Sequence, residues 1–106
     1  MRFTVILVPD EQGWVSATVP AMPGCMSQGR TREEALANVR EAMEGWIEEE
    51  SARNRSPLQE TPTLLLDGVG TAIQIIDDMR AAGESNVASG YDLELASVEL
   101  RQPLAA

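Results

Sequence analysis

A helix start at Thr31-Arg32-Glu33-Glu34 is the feature that most constrains the fold of this chain. The Thr31 hydroxyl can accept a hydrogen bond from the backbone N–H of Glu34, whose carboxylate can reach back toward the cap. Apolar residues then recur at steps of three and four positions, namely Ala35, Leu36, Val39, Ala42, Met43, Trp46 and Ile47. This spacing predicts an amphipathic helix from Arg32 to about Ser51 that lays one apolar stripe on a sheet.

Three strands are predicted ahead of this helix. Residues 3–8 are mostly apolar and β-branched, and residues 9–13 supply the turn that follows them. Residues 14–19 alternate with a period of two, as a half-buried strand does. The prolines within residues 20–24 break the pairing, and residues 25–29 are long enough for a short third strand.

The second half of the chain predicts a loop, a second helix and a last strand. Residues 52–62 are polar and proline-containing, which predicts a loop, and residues 63–66 predict a brief extended segment at the core edge. A helix is expected over residues 69–82, ended by Gly83. Its apolar face would comprise Val69, Ala72, Ile73, Ile76 and Met79.

The last strand is predicted over residues 91–100, and its apolar pattern changes phase along the way. Apolar residues occupy odd positions up to Leu95 and even positions from Val98 onward. One extra residue near 96–97 would restore a single apolar face, which predicts a bulge or a sheet edge there. A strand buried on both faces is the alternative.

Composition narrows the range of possible functions. The chain has 106 residues, which suits one domain, with 17 acidic and 8 basic residues and a formal net charge of −9. Such a surface disfavours nucleic-acid binding and favours a basic protein partner, although the charge also serves solubility alone. Histidine is absent and Cys25 is the single cysteine. We therefore expect no intrachain disulfide, no metal or cofactor, and no histidine-dependent nucleophile.

The N-terminal apolar run is too short for a signal peptide, and no apolar stretch approaches the length of a membrane span. We therefore expect a cytoplasmic protein without membrane association.

Residues 13–42 carry a set of motifs in a fixed order. An aromatic strand ends in Pro-x-x-Pro-Gly-Cys at residues 20–25, and Gly-x-Thr-x-Glu-Glu-Ala at residues 29–35 opens the amphipathic helix. Together they resemble the HicB-like antitoxin family over about the first fifty residues.

The resemblance implies an α+β fold of degraded RNase H type. A three-stranded antiparallel meander and a crossover helix would be followed by a final strand parallel to the first, outside the meander. A single domain over residues 1–106 is expected, with residues 1–51 as the family core and residues 52–106 supplying the second helix and final strand.

The resemblance also implies a non-catalytic function. Family members bind HicA, a small basic ribonuclease that cleaves mRNA with a histidine, and the antitoxin covers that histidine. Many also carry a DNA-binding module, which residues 52–106 do not predict, so promoter binding is not expected. The alternatives are a solitary regulator or scaffold with another partner or a small ligand, and a metal-dependent nuclease. The nuclease lacks support because residues 3–8 contain no acid.

Partner-binding candidates follow from these patterns. Trp14 lies on the second strand opposite its apolar face, Pro23 and Gly24 form a turn, and Glu41, Glu44 and Glu48 share the solvated face of the helix. The plainer interpretations are a structural turn with Cys25 buried and an ordinary solvated helix face, and Trp46 is expected in the core. Exposed strands also predict a homodimer or homotetramer.

Overall fold

The structure is a computed structural model that describes residues 1–10, 12–83 and 92–100. The elements in this part of the chain are β1 (Arg2–Pro9), β2 (Val15–Thr18), β3 (Met26–Gly29), α1 (Arg32–Ser51), α2 (Pro62–Ala81) and β4 (Glu94–Glu99). The α+β class, the meander of β1 to β3 and both helices are confirmed. The relation to RNase H stays a prediction.

The four strands form one sheet in the order β3-β2-β1-β4, with every neighbouring pair antiparallel. β4 lies beside β1 outside the meander, as predicted, but the prediction that it runs parallel to β1 is wrong. One crossover helix would return the chain to the end of the sheet where β1 begins. Because α2 adds a second passage along the sheet, β4 starts at the opposite end and runs antiparallel.

β4 contains no bulge among its paired residues. Its register against β1 is continuous from Arg2↔Glu99 to Leu7↔Glu94, so the predicted bulge at residues 96–97 is wrong. The predicted edge position is confirmed, since β4 ends the sheet. The phase change arises because Val98 is buried on one face while Leu95 is on the other, where it is 52% exposed.

α1 packs on one face of the sheet, which we call the inner face, and encloses the core there. Buried core residues come from the strands, from the turn before β3 and from α1: Phe3, Val5, Leu7, Ala17, Val19, Ala21, Met22, Cys25, Ala35, Val39, Met43, Ile47, Val98 and Leu100. At about 25 cal/mol per Å² of apolar surface removed from water, this layer supplies most of the hydrophobic stabilisation.

The start of α1 is capped as predicted, with one difference. The Thr31 hydroxyl accepts from the Glu34 N–H at 3.0 Å, while the Glu34 carboxylate accepts from the Arg30 N–H, one residue before the cap, at 3.0 Å. The helix spans Arg32–Ser51, the predicted bounds. The Thr31 contact satisfies a backbone donor that the first helical turn leaves without a partner, and the Glu34 contact satisfies the backbone donor just ahead of the cap.

α2 begins seven residues earlier than the predicted start at residue 69, so the extended segment predicted at residues 63–66 is wrong. Thr61 caps the helix by accepting from the Leu64 N–H at 3.1 Å, and Pro62 occupies the first turn, where its missing N–H costs nothing. The chain therefore turns helical directly before the three leucines, which become part of its apolar surface.

α2 lies on the other face of the sheet, the outer face, and packs chiefly on β1. α2 comes close to the sheet at Gly68, where an added Cβ would lie 3.0 Å from Ile6 Cδ1 and 3.0 Å from Pro20 Cγ. Ile6 is 1% exposed beneath it, yet α2 itself contains no buried residue. The helix thus touches the sheet along one line and stands off elsewhere.

Candidate functional site

A groove of about 780 Å³ runs between α2 and the outer face of the sheet. We call it the outer groove. Its floor is formed by alternate residues of β2 and β3: Ser16, Thr18, Met26 and Gln28. Its helical wall is apolar and includes Leu64, Gly68, Ala72, Ile75, Ile76 and Met79. Its size falls in the range of binding clefts, and most of its wall can contact apolar groups.

Trp14 lies at one end of the outer groove, where the β1–β2 hairpin closes. The Asp10 carboxylate accepts from the Trp14 N–H at 3.0 Å, and the Asp10 N–H donates to the Trp14 carbonyl at 2.8 Å. The Arg30 guanidinium carbon lies 4.0 Å from the centroid of the indole ring. The half-buried ring thus holds the Arg30 cation over one face, an attraction of about 0.5–1 kcal/mol at exposed sites.

The turn before β3 forms the other end of the groove. Gly24 has a φ of +85°, a conformation that side chains disfavour, and Cys25 turns inward and is buried. The Trp46 indole N–H donates to the Pro23 carbonyl at 3.0 Å, so the turn is fastened to α1. Burial raises the pKa of the Cys25 thiol, which keeps it protonated and unreactive at neutral pH.

Trp46 itself is half-buried against the edge of the core, with its ring nitrogen bonded to the turn. The core position predicted for it therefore holds in part, since it packs on the core cluster without being enclosed by it. The plainer interpretation of the turn agrees with the geometry: Gly24 supplies the backbone conformation and Cys25 the buried side chain. Pro23 and Gly24 are nevertheless exposed and line the outer groove.

The acidic candidates lie in the other layer. Glu41, Glu44 and Glu48 are all exposed on α1, at the three- and four-residue steps that place side chains side by side. None of them forms an ion pair with the described residues, whereas Glu49 and Glu50 pair with arginines that follow the helix. The three carboxylates therefore form a negative surface that the described chain leaves uncompensated.

The predicted site residues consequently fall into two groups. Trp14 lines one end of the outer groove and Pro23 and Gly24 line the other, and the three glutamates form a separate surface. Sequence reasoning missed the wall of the groove on α2. A signal for this wall was present in β1. The apolar run around Ile6 places apolar side chains on both faces of the strand, so another element must pack on each face.

The described residues also limit other kinds of site. No group of three or more Asp, Glu or Cys side chains in residues 1–10, 12–83 and 92–100 is arranged to hold a metal ion. Neither helix described is long and apolar enough to cross a membrane.

Comparison with known proteins gives a consistent result. A family model described as HicB-like antitoxin of bacterial toxin-antitoxin system matches residues 3–65. The UPF0150 protein Ta0767 of Thermoplasma acidophilum is 50% identical over 48 residues, covering 45% of this chain and 70% of that protein. A UPF0150 protein of Archaeoglobus fulgidus is 35% identical over 48 residues with the same coverage.

Among solved structures, the N-terminal domain of the Burkholderia pseudomallei antitoxin HicB is similar, with a TM-score of 0.54 and 26% sequence identity. The match covers 94% of this chain and 100% of that domain, so it includes both layers of the fold.

Proposed function

This chain belongs to the HicB-like antitoxin family, and from that premise we propose that it neutralises a HicA-like mRNA-cleaving toxin by binding it. In this proposal the chain is non-catalytic: it covers the toxin's catalytic surface in the cytoplasm and carries out no reaction of its own. The toxin would be a small basic protein, because only a basic surface is drawn to this chain over a distance.

The observation that carries the proposal is the uncompensated acidic surface of α1. Glu44 and Glu48 are four residues apart, and like charges at this spacing destabilise a helix by about 0.2–0.5 kcal/mol. The net charge of −9 adds to this repulsion across the whole surface. A basic partner would be attracted by this charge over a distance, and complementary charge would speed its association.

The test is inhibition of a HicA-like protein, which the proposal expects to be encoded beside the gene of this chain. The purified chain should stop RNA cleavage by that protein at stoichiometric ratios, and co-expression should restore growth to cells producing it. Replacing Glu41, Glu44 and Glu48 together by Gln should slow association and weaken its salt dependence. A matched control is replacement of Glu49 and Glu50, whose charges are already paired, by Gln.

Absence of a toxin gene nearby, or full cleavage in the presence of excess chain, would contradict the proposal. RNA cleavage by the chain alone with Mg²⁺ would contradict its non-catalytic part.

Self-association is a second part of the proposal. β3 and β4 end the sheet, and an unpaired strand edge favours pairing with another copy. Light scattering at micromolar concentration should give the mass of a dimer or tetramer, and a monomer mass would exclude this part.

A further inference from the structure

Exposed apolar side chains of the described residues collect in the outer groove. Six large apolar residues are exposed, and three of them, Met26, Leu58 and Ile75, line this one groove. Met26 is 64% and Ile75 54% exposed, although both line the space between the sheet and α2. Apolar patches gathered in a concave surface are characteristic of a binding site.

Charge identifies the kind of occupant. Asp10 and Asp92 line the groove, and Asp67 and Asp78 are exposed on the edge of α2 beside the groove-lining Thr71. The cations here are Arg80, which is half-buried, and Arg30, which lies against Trp14. Exposed carboxylates thus border an apolar wall. This combination fits a segment with apolar side chains flanked by Lys or Arg.

Two other occupants fit less well. A second copy seated in this groove would bring its own charge of −9 against the acidic border, and like charges there oppose association. The self-association proposed above pairs strand edges instead. A small apolar ligand is usually enclosed over most of its surface, whereas this groove leaves Met26 and Ile75 more than half exposed.

We infer that the outer groove receives a basic amphipathic segment of the toxin, between α2 and the outer face of the sheet. This inference rests on the proposed function and assigns its apolar contacts to a surface separate from the acidic face of α1. The acidic face attracts the partner, and the groove holds it.

The experiment is calorimetric titration of the neighbouring-gene HicA-like protein into four forms of the full chain: wild type, I75E, L66E and A72F. I75E places a charge in the groove. L66E places the same charge on the same helix, at a residue that is 71% exposed and does not line the groove. A72F fills the groove without changing charge. Circular dichroism melts establish that each form is folded.

I75E and A72F should weaken binding by at least about tenfold, while L66E should remain within about twofold of wild type. The loss in I75E would occur despite an added negative charge, so it cannot come from weaker attraction of a basic protein.

If wild type binds, and I75E and L66E bind with equal affinity, the inference about the groove is overturned while the proposed function stands. No binding by wild type would overturn both. A smaller mass of the free chain in I75E, but not in L66E, would assign the groove to a second copy and also overturn the inference.

Discussion

The two faces of the sheet are covered in different ways. On the inner face, α1 contributes four buried side chains, Ala35, Val39, Met43 and Ile47, to one continuous core. On the outer face, α2 has the same length of 20 residues and contributes none. Two helices of equal length on one sheet thus differ in how much apolar surface they remove from water.

The difference indicates that the two layers have different roles, one in stability and the other in binding. A side chain already enclosed by its own chain has no surface left for a partner, whereas a helix that stands off the sheet retains it. The inner layer therefore accounts for stability, and the outer layer is available for binding. Low local stability is common in segments that bind.

The largest effect should come from the same substitution made in the two layers. Met43 on α1 is 0% exposed, and Met79 on α2 lines the groove and is half-buried. M43A should lower the unfolding free energy by about 2–5 kcal/mol, because it leaves a cavity in a packed core. M79A should cost less than about 1 kcal/mol. Urea denaturation measures both, and equal losses would contradict the division between the layers.

A smaller effect should mark where the outer layer is tethered to β1. The Glu60 carboxylate, just before α2, accepts from both the Thr4 N–H and the Thr4 hydroxyl, the latter at 3.0 Å. E60A should cost about 1–3 kcal/mol, because it leaves a partly buried N–H without its charged acceptor. Q59A, at the exposed neighbouring residue, should change stability by less than about 0.5 kcal/mol. Equal thermal shifts would show that the tether contributes nothing.

Two glycines of α2 sharpen the comparison within one helix. Gly70 has open space where a Cβ would be, so G70A should stabilise the helix by about 0.5–1 kcal/mol. A Cβ added at Gly68 would lie 3.0 Å from Ile6 Cδ1 and 3.0 Å from the rigid ring of Pro20, so G68A should lose most of that gain as α2 shifts outward. Thermal denaturation distinguishes the two. An equal gain for G68A would mean that α2 does not bear on the sheet there.

The smallest effect concerns pH and belongs to the inner layer. Arg32 at the start of α1 donates to Glu94 of β4, with its Nη2 2.6 Å from Oε2, and this hydrogen bond lowers the pKa of Glu94. A lowered carboxyl pKa in the folded state stabilises at neutral pH and ceases to do so as the pH falls through that value. The stability difference between wild type and E94Q should therefore shrink below about pH 4. A difference that persists unchanged to pH 2 would contradict the ion pair.

The inner layer could be predicted well from the sequence. The Thr31 cap and the apolar stripe of α1 are local signals, and both bounds of the helix agree with the structure. The meander followed from alternation and from prolines, which are also local. These features needed no information about distant parts of the chain.

The outer layer was predicted less well, for physical reasons. The Thr61-Pro62 start signal stands directly before three successive leucines at residues 64–66, which have no helical period of their own. The direction of β4 depends on how many times the chain crosses the sheet, which no local pattern records. Likewise, the groove is assembled from residues far apart in sequence. The local patterns that single out Trp14 and Pro23 therefore do not point to the wall on α2 that they share.

The most direct test of the division between the layers is hydrogen–deuterium exchange of the chain, alone and with the HicA-like protein. In the free chain, amides of α2 should exchange much faster than those in the middle of α1, since α2 encloses no side chain. On binding, protection should rise in α2 and in β2–β3 beneath it, with little change in the middle of α1. Equal protection of the two helices in the free chain, or no change in α2 on binding, would contradict the account.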